Sequence, residues 1–145
     1  MTQEICIDYP PLYDEIAVAF NLHPNDGVIF SWGERIYNPG GSVIPPQLIA
    51  HEVVHGQRQL KGTNTHEMNV WDWWRRYMAS WEFRLAEEIP AHRAEYQHVM
   101  ANGNRQERRA ALKVTAERLA APLYGRAQRS GIITQSAAMD ILKTH

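Results

Sequence analysis

A chain of 145 residues, 44% of them apolar, has the length and the apolar content for a single domain spanning residues 1–145. Its 15 basic and 16 acidic residues leave a net charge of -1, which argues against a chain built mainly to hold nucleic acid or an anionic membrane. The single cysteine, Cys6, excludes an internal disulfide, and no apolar run approaches membrane-spanning length. Glu4, Asp8, Asp14 and Glu15 stand where a signal peptide would carry a basic start and an apolar core, so a soluble, cytoplasmic protein is expected.

In chain order, Ile5-Cys6-Ile7 reads as a short extended lead-in, with Cys6 as a structural thiol. Pro10 and Pro11 then open a helix whose inner stripe is Leu12, Ile16, Ala19 and Phe20. His23-Pro24-Asn25-Asp26-Gly27 concentrates turn formers and ends it. Val28–Trp32 and Arg35–Tyr37 flank Gly33-Glu34, a two-residue Gly-x link that predicts a tight hairpin. A hairpin beside the following helix would offer its strand edge to an extended peptide, although plain structural cover is the simpler role.

After the loop Asn38–Ser42, Pro45-Pro46 restarts a helix that runs to about Leu60, with Lys61-Gly62 as its stop. Within it His51-Glu52-Val53-Val54-His55 is a complete His-Glu-x-x-His sequence. A spacing of four positions between the histidines is slightly more than one turn, so both rings project from one face and can grip one ion. Glu52 lies about 100° round from His51, placed to hold an attacking water without itself being a ligand. Leu48, Ile49, Val53 and Val54 make the other side apolar, which predicts that this side rests on the core while the histidines face a cleft.

A second long helix is expected from His66 or Glu67 to about Met100, with Trp71, Trp74, Met78, Trp81 and Leu85 on one buried stripe. The same count continues to Glu88, then His92, Glu95 and Val99. A carboxylate on an apolar stripe needs a partner, and a metal ion would supply one. A catalytic zinc takes three protein ligands, of which His51 and His55 are two. Glu88 is the preferred third, ahead of Glu95 and then Glu87; an ion pair of Glu88 with Arg84, or with Arg75 or Arg76 of a neighbouring chain, is the ordinary alternative. Pro90 should kink this helix just past the ligand or divide it in two. Five tryptophans, four of them between positions 71 and 81, suit core packing or the anchoring of a partner.

Beyond Asn102-Gly103-Asn104 a helix from Arg105 to about Ala121 should bury Leu112 and Leu119, and Thr134 should cap a last helix, Gln135 to Lys143. Arg105, Arg108, Arg109, Lys113, Arg118, Arg126 and Arg129 outnumber the acids here, as a solvated helix face would. The fold class that follows is α+β, mainly helical, with a small β-hairpin or sheet beside the metal-binding helix.

His51-Glu52-x-x-His55 followed by Glu88-Ile89-Pro90-Ala91 resembles the gluzincin type of zincin, in which a glutamate from a later helix, often within Glu-x-x-Ala, completes the site. The likeness covers about residues 10–100, leaving about 102–145 as a helical extension, and small zincin-like chains of this kind are familiar from phages and prophages. The ending Ala121–Gly125 with Ile132-Ile133-Thr134 is similar to that group. A metzincin would carry glycine and histidine where this chain has Arg58 and Lys61; Asp72 is a distant candidate for an aspartate-type ligand, and His66 a minor one for a three-histidine site. The resemblance implies a metallopeptidase holding Zn²⁺ on His51, His55 and Glu88 and acting on a peptide or protein, with Glu52 as general base. The oxyanion donor is open among Tyr96, His92 and, less favoured by position, Tyr77. The competing class is a non-catalytic protein of this fold that binds a host or virion partner.

Overall fold

The computed structural model describes residues 3–121 and 133–144. The chain is mainly helical with one small sheet, in the order β1 (Glu4–Cys6), α1 (Tyr13–Phe20), β2 (Phe30–Trp32), β3 (Arg35–Tyr37), α2 (Pro46–Gln59), α3 (His66–Ala79), α4 (Trp81–Asn102), α5 (Arg105–Ala120) and α6 (Gln135–Lys143). Helix α1 buries Ile16 and Phe20 and ends at Asn21, which takes the left-handed conformation at φ 54° and so turns the chain back. β2 and β3 form the expected hairpin, with Ser31 opposite Ile36. Its turn needs a positive φ at the first central residue, and Gly33 supplies it at 62°. The lead-in strand β1 is itself paired, parallel to β3, giving the strand order β1-β3-β2.

The helix expected between about residues 66 and 100 is two helices. Ser80 breaks it in an extended conformation (φ -132°, ψ 118°), and its hydroxyl accepts the Phe83 N–H as the N-cap of α4. The Arg84 guanidinium turns back to the Tyr77 and Met78 carbonyls, satisfying acceptors that the end of α3 leaves free. The buried stripe of α3 is consequently Val70, Trp73, Trp74 and Tyr77, with Trp71 and Met78 only partly buried. Pro90 sits inside α4 without dividing it.

Two apolar clusters result. One joins α1, the hairpin and α3 through Leu12, Ile16, Phe20, Phe30, Trp32, Val70, Trp74 and Tyr77. The other joins the C-terminal helices through Ala116, Leu119, Ala138 and Leu142, with Leu85, Ile89 and Tyr96 of α4 against it. Helix α2 packs on β2 and, most extensively, on α4. It does so with the face opposite to the one expected. His51, His55, Gly56 and Gln59 are its buried residues, while Leu48, Ile49, Val53 and Val54 are only half-buried. Burying a polar face is tolerable only where each group finds a partner, and that requirement shapes the site. Among the described residues no helix is long and apolar enough to cross a membrane.

Candidate metal centre

Three elements bring the site together: α2 carries His51, Glu52 and His55, α4 carries Glu88, His92 and Glu95, and β2 carries Ser31. The Nε2 atoms of both α2 histidines converge on one carboxylate, His51 at 3.2 Å from Glu88 Oε1 and His55 at 2.9 Å from Glu88 Oε2. Donors about 2.1 Å from a tetrahedral ion stand about 3.4 Å from one another. The triangle of two imidazole nitrogens and one carboxylate oxygen, one donor atom from each residue and all within 4.8 Å of one another, has the donor chemistry of a zinc-type site. Its members are nearly enclosed, with side chains exposed by 6% for His51, 5% for His55 and 13% for Glu88.

The surroundings orient these groups. Glu95 Oε1 lies 3.0 Å from His51 Nδ1, so the ring gives its Nδ1 proton to Glu95 and turns Nε2 inward. The Tyr77 hydroxyl donates to Glu88 Oε2 at 2.5 Å. His92 Nδ1 is 2.9 Å from the Glu88 carbonyl, which can only accept, so that nitrogen carries the proton. By contrast His55 Nδ1 is a buried side-chain nitrogen with no partner, the one such atom among the described residues.

Charge follows the same geometry. Burial opposes a charge on His51, but hydrogen bonds to Glu88 and Glu95 and the charges of Glu88 and Glu52 push it up to about 10. Burial also opposes charge on Glu88, and here His55 and His51 prevail and hold the carboxyl well below the usual range. For His92 burial and then the neighbouring His51 push it down to about 4, so it is neutral near pH 7. Without an ion, the cluster is thus compensated by a proton on His51, which a metal would have to displace.

His51, His92 and Glu95 form a second group with donor atoms close enough for one ion. There, however, Arg118 donates to Glu95 Oε2 at 2.8 Å, so a guanidinium already neutralises that carboxylate. The Glu88 carboxylate instead faces the Nε2 atoms of His51 and His55, which can themselves become ligands, and that group is the better ion site.

Glu52 stands beside the triangle, its Oε2 at 3.7 Å from His51 Nε2. The Ser31 hydroxyl is 2.6 Å from Glu52 Oε1 and donates to it, with the Glu52 carbonyl oxygen also within 2.9 Å. Of the other candidate ligands, Glu87 is tied to Arg58 by a two-point bridge at 3.0 and 2.8 Å and receives the Trp73 indole N–H at 2.7 Å. His66 is exposed at the start of α3, and Asp72 pairs with Arg76 on the surface. Among the expected oxyanion donors, His92 lies in the centre with its ring 4.5 Å from that of His51, whereas Tyr96 is placed in the apolar cluster of the C-terminal helices. Of the seven basic residues expected on a solvated face, Arg118 turns inward to Glu95; Arg126 and Arg129 lie outside the described residues, as does all of 122–132.

The β2 edge is not a free template throughout. Ser31 pairs with Ile36 across from a hairpin-closing Trp32–Arg35 pair, so its N–H and C=O point away from β3. That carbonyl accepts from Gln59 Nε2 at 3.1 Å and from the Trp74 indole at 3.0 Å, and the Gly33 N–H donates to Gln59 Oε1 at 2.7 Å. The fully buried Gln59 amide thus pairs with the strand as a neighbouring backbone would. Ser31, Gln59, Tyr77 in its contact with Glu88, and Arg118 are contributors that sequence reasoning missed or ranked low. An apolar strand, a polar residue one turn past His55 and a surface-looking arginine carry no local signal of these partners. Comparisons with protein-family models, with curated proteins and with solved structures find no match to this chain.

Proposed function

We propose that the protein is a zinc-dependent metallopeptidase of gluzincin type, working in the cytoplasm on a peptide or protein substrate. The observation that carries this reading is the convergence of His51 Nε2, His55 Nε2 and the Glu88 carboxylate, with Glu52 alongside but outside the triangle. His51, His55 and Glu88 would hold the ion, and the ion, when bound, polarises a scissile carbonyl and acidifies water. Glu52 takes the proton of the attacking water and passes it to the leaving amine. Ser31 keeps Glu52 turned to that task by occupying its other oxygen. Neutral His92 has its one proton on the Glu88 carbonyl and the Tyr77 hydroxyl gives its proton to Glu88 Oε2, so either donor would have to leave Glu88 to meet a developing oxyanion.

A second reading draws on the burial of the site. The ligand-bearing face of α2 is turned inward and part of the β2 edge is occupied, which suits a metal that staples α2 to α4 in a non-catalytic protein acting through a host or virion partner. One pair of measurements separates the readings: zinc content by mass spectrometry of the wild type and Glu52→Gln, and turnover of a peptide library by both. The peptidase reading expects one zinc per chain in each protein and activity only in the wild type. Zinc in both and turnover in neither supports the stapled protein; no zinc in the wild type, even when it is supplied, overturns both.

A further inference from the structure

We infer that Arg118, in the last turn of α5, is a positioning residue of the metal centre, setting zinc affinity by clamping the carboxylate that orients His51; this rests on the metal-site reading above. The path is short and continuous. Arg118 Nε reaches Glu95 Oε2 at 2.8 Å and its Nη2 reaches Glu95 Oε1 at 3.4 Å, so the fork engages both oxygens. Oε1 is the oxygen that faces His51 Nδ1 at 3.0 Å. His51 in turn presents Nε2 to Glu88. The chain Arg118–Glu95–His51 thus fixes where the ligand nitrogen points.

Three observations separate this from a surface ion pair. Glu95 is 3% exposed, so although the Arg118 side chain is 46% exposed, the acid end of the pair is held away from bulk water. Arg118 comes from another helix, so the contact depends on how α5 docks on α4. And α5 is independently well started: Asn104 and Glu107 form a reciprocal capping box at its N-terminus, so Arg118 is not needed to make the helix. Its guanidinium is spent on the metal centre instead.

Coulomb's law and positioning give opposite signs here, which makes the inference testable. Removing a cation close to a metal site should by charge alone tighten zinc, whereas freeing Glu95 should weaken it by loosening His51. The experiment is zinc affinity of the full chain by competition with a chromophoric chelator, for the wild type, Arg118→Met, Arg118→Lys, Glu95→Gln and the Arg118→Met/Glu95→Gln pair. Groups that hold a metal-ligating histidine in place through its other ring nitrogen are worth about 10–100-fold in affinity. We expect Glu95→Gln to weaken zinc by about 10-fold or more, and Arg118→Met by about three- to tenfold. The pair should be no weaker than Glu95→Gln alone, because Arg118 acts only through Glu95. Arg118→Lys keeps charge and stem but lacks the fork, and should lose about threefold; it decides the matter if the methionine variant fails to fold. Unchanged or tighter zinc in the Arg118 variants, or the same Arg118 effect with Glu95 already replaced, overturns the inference while leaving the metal site intact. A wild type that takes no zinc overturns the metal-site reading and this inference with it.

Discussion

At the scale of single residues the site depends on contacts that each fix one atom. Ser31 is the smallest of them. Its hydroxyl holds Glu52 Oε1 at 2.6 Å, and without it the carboxylate can swing away from the side of His51. Misplacing a catalytic group by about 1 Å can cost about 100-fold in rate. Ser31→Ala is therefore expected to retain wild-type zinc and to lose about 10- to 100-fold in turnover of any peptide substrate. Steady-state kinetics with parallel metal analysis checks this; a variant that loses its zinc would place Ser31 in the ligand scaffold instead. His55 is the asymmetric member, since its Nδ1 lacks the partner that Glu95 gives His51. The centre is accordingly held firmly from the His51 side.

At the scale of elements the decisive contact is that of α2 with the β2–β3 hairpin. Gly56 sits on α2 where a Cβ would collide with the Gly33 carbonyl oxygen, and backbone cannot move aside as a flexible side chain can. The close approach lets Gln59 bond both Gly33 N–H and Ser31 C=O, and it brings Ser31 to Glu52. Gly56→Ala would gain about 1 kcal/mol of helix propensity and lose about 1–3 kcal/mol to overpacking, more where backbone must shift. We expect a net loss of stability in urea unfolding and a fall in activity beyond it, because α2 must move from the strand that holds Glu52. A stabilised Gly56→Ala would show that the approach is loose.

At the scale of the whole molecule the proposed metal centre bridges α2 and α4, while the two apolar clusters lie on α1–hairpin–α3 and on α4–α5–α6. An ion held there ties together parts of the core. Free zinc at about 100 times its Kd would add about 2.7 kcal/mol, or about 5–10 °C in Tm for a chain of this size. The pH dependence has a definite sign. In the metal-free protein His51 is raised from 6.5 to about 10, so the stability from its charge is full below about pH 6.5 and is lost as pH rises through about 10. Zinc must displace that proton, so its affinity rises with pH over the same interval. The gap in Tm between zinc-loaded and chelator-treated protein is expected to widen from pH 6 to pH 8, read by scanning fluorimetry. A gap that narrows would mean that His51 is not the proton-bearing ligand.

What the sequence determined by itself is what local spacing controls. The pairing of His51 with His55 on one helix face, the Gly33 turn, the caps at Asn104 and Thr134 and the ends of α2, α5 and α6 all follow from contacts within a few residues. Glu88 was also legible, as an acid on a stripe that had no other use for it, even though Ser80 interrupts that stripe. Tertiary structure alone decided which face of α2 is buried. Apolar periodicity assigns burial to Leu48, Ile49, Val53 and Val54, yet the polar face goes inward because Glu88, Glu95 and Ser31 arrive from distant elements to satisfy it. The same reason hides Arg118 and Gln59 from any reading of the chain in order: a side chain's partner across 23 or 28 residues is fixed by packing, and no local pattern records it.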